Sequence, residues 1–123
     1  MPEKSESQVR RSGRLFAAVA VLRLLAKPEV RLPGPDAFQG KDSPAERIDA
    51  LRSNPYDALL RARERGGRHW EAATAVLLSI PELLKDGPLP YSDCISRVEL
   101  KDFTDGYDDQ LAAYREKFAA LLP

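Results

Sequence analysis

The sole histidine of the chain, His69, stands beside Arg68 at the head of the run HWEAATAVLLSIPELL, which has no ionisable residue between Glu71 and Glu82. Imidazole is the side chain whose ordinary pKa suits proton transfer near neutral pH, so His69 is the first candidate for a general base. It has little company. Cys94 is the sole cysteine, and no second imidazole exists to complete a metal site or to activate the thiol. A typical zinc site takes several N, S or O ligands, and a nucleophilic thiol needs a base beside it. These residues therefore point to no catalytic set, no metal and no cofactor. A single cysteine also excludes an internal disulfide, which makes a reducing compartment the expectation.

Two charged clusters remain. Arg61, Arg63, Arg65 and Arg68, with His69, flank the turn at Gly66-Gly67. Together with free amides at the start of the following helix, such a turn could hold a phosphate or follow a nucleic-acid backbone. Gly66-Gly67 is followed by Arg-His-Trp rather than by the lysine and hydroxyl residue of a P-loop. A helix-turn-helix reading fails because the second helix carries Ala, Val and Leu, which offer nothing to a base edge. The simpler reading of the cluster is a solvated helix face with Glu64 and Glu71 in local ion pairs.

The other cluster is acidic: Glu99, Asp102, Asp105, Asp108 and Asp109, interrupted by Lys101. As a calcium loop it fails, since Lys101 and Phe103 stand where ligands should be and no glutamate closes it. As a surface it would steer and hold a basic partner protein.

Net charge is zero, with 19 basic and 19 acidic residues, yet it is polarised. Residues 1–31 carry seven basic against three acidic side chains, +4, and residues 82–123 carry five against nine, −4. Either the two ends pair with each other or each meets a partner of opposite sign.

The elements that must position these groups read as helices throughout. At 123 residues, 43% of them hydrophobic, the chain is expected to form a single helical domain over 1–123. Capping boxes at Ser5 to Gln8 and Ser43 to Glu46, and the pair Asn54-Pro55, predict helices over 6–26, 44–52 and 55–65. The uncharged run predicts a central helix from His69 to Leu84, broken near Ser79 by Pro81. Residues 92–103 are ambiguous between helix and strand, with helix preferred. A last helix, begun after Thr104-Asp105-Gly106, carries Tyr107, Leu111, Tyr114, Phe118 and Leu121 on one stripe.

The expected fold is therefore all-α: a compact bundle of about five helices around that central helix. Residues 27–43, with Pro28, Pro33, Gly34, Pro35 and Gly40, form a long loop or an arm pinned by Val30, Leu32 and Phe38. Leu15 to Ala26 after Arg10, Arg11 and Arg14 has the flavour of an export signal. Arg23 interrupts it and no cleavage site follows, so it reads as a core helix of a cytoplasmic, bacterial protein and spans no membrane.

With its oily residues spent on a helical interior, the chain must work through its exterior. The expectation is a non-enzymatic accessory, adaptor or immunity-type inhibitor protein that docks on another protein through its helices and charged ends, with the acidic cluster as the partner-binding surface. The alternative is a nucleic-acid-binding regulator using the Arg61 to Arg68 turn. Homodimerisation through the alanine-rich first helix fits either reading.

Overall fold

The computed structural model describes residues 7–27, 29, 31–34, 38–40, 42–51, 54–85 and 91–122. Five helices, and no strand, occur among them: α1 (Gln8–Ala26), α2 (Pro44–Ala50), α3 (Pro55–Arg65), α4 (Gly67–Leu84) and α5 (Arg97–Lys117). The expected helical bundle is what forms, and its starts are set locally. The Ser7 hydroxyl accepts from the Arg10 amide at 3.0 Å, Ser43 from Glu46 at 3.1 Å, and Asn54 from Tyr56 and Asp57 at 2.9 and 3.2 Å. Each satisfies amides that have no partner inside the helix. The cap expected at Ser5 lies outside the described residues.

Two boundaries differ from expectation. Residues 97–117 are one helix, opened by a capping box between Ser96 and Glu99, with Gly106 in its interior. Gly106 is there for packing and does not start a helix. Pro81 also sits within α4 without ending it. Its ring has no amide to give the Leu77 carbonyl and crowds that carbonyl, yet the helix continues to Leu84.

The hub of the bundle is α1, and α4 does not occupy the centre. All four other helices pack against α1, which buries fourteen residues, whereas α4 buries only Ala72, Ala73 and Val76. Leu78 of α4 is 67% exposed, and Tyr56 and Leu60 of α3 are also exposed, so this hairpin keeps an apolar outer face. An uncharged run was read as all-round burial, but the bundle instead encloses the helix with the smallest side chains. Gly13, Ala17, Ala18 and Ala20 let neighbouring backbones come close from several sides at once. The alanines that were expected to meet a second copy are themselves buried within the bundle.

Between α1 and α5 the approach is backbone on backbone. A methyl at Gly13 would overlap the carbonyl of Phe103, and one at Gly106 would overlap the carbonyl of Arg10. The polarised charge closes the same contact. Arg10 pairs with Asp109 and stands 3.9 Å from Asp102, Arg14 stands 3.9 Å from Asp109 and bonds Gln110 at 3.3 Å, and the Ser7 hydroxyl donates to Asp102. The basic and acidic ends of the chain meet each other.

At the far end, Gly66 makes the whole turn between α3 and α4, with φ 132° and ψ 171°, a backbone region that glycine alone enters without strain. Arg65, just before it, donates to the carbonyls of Leu24 and Leu25 at 3.1 and 2.7 Å. It thereby satisfies two of the open carbonyls at the end of α1. Arg65→Met should destabilise the protein by about 1.5–3 kcal/mol, the range for hydrogen bonds from a charged donor. Chemical denaturation of the two proteins checks this, and a loss confined to salt sensitivity would contradict it.

Candidate functional site

The arm after α1 is fixed against α5 by its own side chains. Leu32 and Phe38 pack on the core, as expected, while Val30 lies outside the described residues. Tyr107 donates its hydroxyl to the Pro33 carbonyl at 3.0 Å. Arg47, buried on α2, donates to the carbonyls of Gln39, Gly40 and Asp42 at 3.0 to 3.2 Å and lies over the Phe103 ring at 5.8 Å. This cationic knot, which sequence reading did not foresee, holds the arm at a fixed distance from α5.

The space left between arm and helix is a groove of about 570 Å³, within the range of ligand-binding clefts. Pro33, Phe38, Leu100, Tyr107 and Leu111 supply its apolar lining, and Arg97, Lys101, Asp105, Asp108 and Arg115 its charges. Most of the α5 side recurs at helical spacing, from Arg97 through Lys101, Thr104, Asp108 and Leu111 to Arg115. That stripe is written in the sequence. It was missed because a helix taken to begin after Gly106 has no such face.

The five expected acidic residues do not form one patch. Glu99 closes the capping box of α5, accepting from the Ser96 amide at 3.1 Å. Asp102 and Asp109, seven residues apart, face α1 and its arginines. Asp105 and Asp108 face the groove, where Asp105 pairs with Lys101 at 2.9 Å and Asp108 is exposed. Tyr107, between the two faces, has its phenol pushed up to about 12, chiefly by burial. It therefore stays protonated at neutral pH and serves as a donor.

The basic turn is likewise divided. Arg61 pairs with Asp57 at 3.0 Å, Arg63 lies over the Trp70 ring at 5.6 Å, and Arg65 caps α1. Arg68 lines a separate hollow of about 420 Å³ with Glu71 and Lys117. His69 is half-buried, and its pKa lies below the ordinary value, first through burial and then through the charge of Arg65. The unfolded chain accordingly binds a proton more readily than the native one between the native pKa and 6.5. Stability should fall as pH drops through that window and be flat in this respect above it. In the native protein the imidazole resonances of His69 should titrate with a midpoint below 6.5.

Cys94 is exposed, and among the described residues no three His, Cys, Asp or Glu side chains come together as metal ligands. No described helix is long and apolar enough to cross a membrane. The fold and its surface thus define a five-helix bundle with a mixed-charge groove between α5 and the arm. No protein-family model matches the chain, and no curated protein or solved structure matches it either.

Proposed function

We propose that the protein is a binding protein and not an enzyme, and that it takes a segment of a partner protein into the groove between α5 and the arm. The observation that carries this reading is the groove itself: an apolar lining, three cations and two carboxylates, and a wall held in place by Arg47 and Tyr107. Such a surface buries an apolar anchor while charges of both signs at the rim select and orient its flanks. Val98, 79% exposed, follows Arg97 of the lining directly in α5 and is open to a partner's approach. The strongly shifted group in the groove, Tyr107, is moved away from the neutral range in which acid–base catalysis works.

The partner segment expected here carries a large apolar side chain between an acidic and a basic residue. Residues Arg97 and Lys101 would receive its acid and Asp108 its base. This revises the acidic-cluster reading, because Asp102 and Asp109 are already engaged by Arg10.

A photo-crosslinker placed at position 98 in the source cells would identify the partner. With the purified pair, Arg97→Glu combined with Lys101→Glu should raise Kd at least about tenfold, the order expected for losing two rim contacts. The same variant should flatten the salt dependence of association. An unchanged Kd would remove the groove from the interface. Nucleic-acid binding at low salt that is lost on Arg68→Gln plus Lys117→Gln would favour the regulator reading.

A further inference from the structure

The form of the groove's occupant follows from the packing of α5, granted the docking role proposed for the groove, on which this rests. Among the described residues α1 is the one helix on which α5 packs broadly, along the face of Asp102, Gly106 and Asp109. The groove runs along the opposite flank. There Arg97, Lys101, Thr104, Asp108, Leu111 and Arg115 recur at alternating steps of four and three residues. That is the seam followed by a second helix packed alongside at a small angle. It extends for about 27 Å, and no described helix lies along it.

An occupant buried against these walls has to satisfy its own main chain. The amides and carbonyls of α5 are bonded within the helix. On the arm, Pro33 has no amide and its carbonyl accepts from Tyr107, while the carbonyls of Gln39, Gly40 and Asp42 accept from Arg47. An extended segment would leave peptide groups here without partners, which is strongly unfavourable. A helix brings its backbone already bonded and presents only side chains.

The charges argue against a second copy as that helix. Two α5 helices related by a two-fold axis meet parallel, which sets Arg97, Lys101 and Asp108 each against itself, or antiparallel, which in the register centred on the groove sets Arg97 against Arg115. Both arrangements bring like charges together. A complementary helix needs an acid where it passes Lys101 and a base where it passes Asp108, seven residues on. The exposed pairing of Lys101 with Asp105 contributes little and is readily exchanged for the partner's acid. We infer that the groove holds one amphipathic helix of another protein, lying along α5, with an acid and a base seven residues apart on its apolar face.

Photo-crosslinkers placed one at a time at positions 101, 104, 108 and 111 of the full chain, in the source cells, test this once the attachment points on the captured protein are mapped by mass spectrometry. Between positions 101 and 111 the attachment point should move by about ten residues within one segment, since two helices side by side share the same rise per residue. For an extended occupant it would move by about four or five, which would overturn the helix while leaving the groove as the docking surface. In the purified pair, proline at a solvent-facing position in the middle of the captured segment should raise Kd at least about tenfold, and alanine there should not. Equal affinities of the two would overturn the helix as well. Attachment to a second copy of this chain alone would overturn the foreign helix, and attachment to nothing from all four positions would overturn it together with the docking role.

Discussion

Gly106→Ala and Gly13→Ala should each destabilise the protein by about 3 kcal/mol or more, the upper part of the range for overpacking. At this chain length that lowers the melting midpoint by about 10 °C or more. The sign is what makes the result informative. Glycine to alanine inside a helix ordinarily gains up to about 1 kcal/mol. Here the added methyl meets the carbonyl of Phe103 or of Arg10, and neither backbone can turn aside as a side chain could. The helices would have to separate, weakening the Arg10 pairing with Asp109 and the packing of Phe16 on Tyr107, whose rings lie 5.4 Å apart. Gly67→Ala is the matched control, since nothing lies within 4 Å of a methyl there and the residue opens α4. It should be neutral or stabilising by up to about 1 kcal/mol. Thermal and urea unfolding of the three variants test this. Equal effects at Gly67 and Gly106 would show that the close crossing is not what limits stability.

The same crossing explains which parts of the structure were legible in the sequence. Charge polarity between the ends was visible, and it correctly offered pairing of α1 with α5 as one of two outcomes. Caps at Ser43 and Asn54 were visible because a cap depends on residues three apart. The value of Gly13 and Gly106 was not visible, since a glycine that permits contact and one that ends a helix look alike without the neighbour. Taking Gly106 as a terminus then cost the reading of the groove. Asp102 and Asp109 belong to one face of α5, Asp105 and Asp108 to another, and this division appears only when residues 97–117 are counted as a single helix. The arginines of α3 were grouped by proximity in sequence. Their different tasks, on Asp57, on Trp70 and on the end of α1, depend on contacts made by other parts of the chain.

Phe103→Ala should cost about 3–5 kcal/mol, the range for emptying a buried phenylalanine site. Phe103 has no exposed surface and lies 5.5 Å from the Phe16 ring and 6.1 Å from the Phe38 ring, so it joins α1, α5 and the arm. Removing it opens a cavity and also takes away the ring over which Arg47 lies. Arg47 binds the arm through three carbonyls, so the loss should be felt at Gln39, Gly40 and Asp42 and not only within the core. Phe103→Leu keeps most of the volume and should be milder, about 1–2 kcal/mol, on the scale of smaller core truncations. This difference separates stability from function. The leucine variant should remain folded at room temperature while the arm, having lost its aromatic contact, exchanges its amide hydrogens faster than α1 does. If the groove is the docking site, partner affinity should fall in that variant even though no groove-lining residue has been changed, because a less ordered wall adds an ordering cost to binding. Urea unfolding, hydrogen exchange and affinity measured on one preparation would distinguish the effects. Faster exchange in the arm with unaltered affinity would mean that the partner does not depend on the wall formed by Pro33 and Phe38.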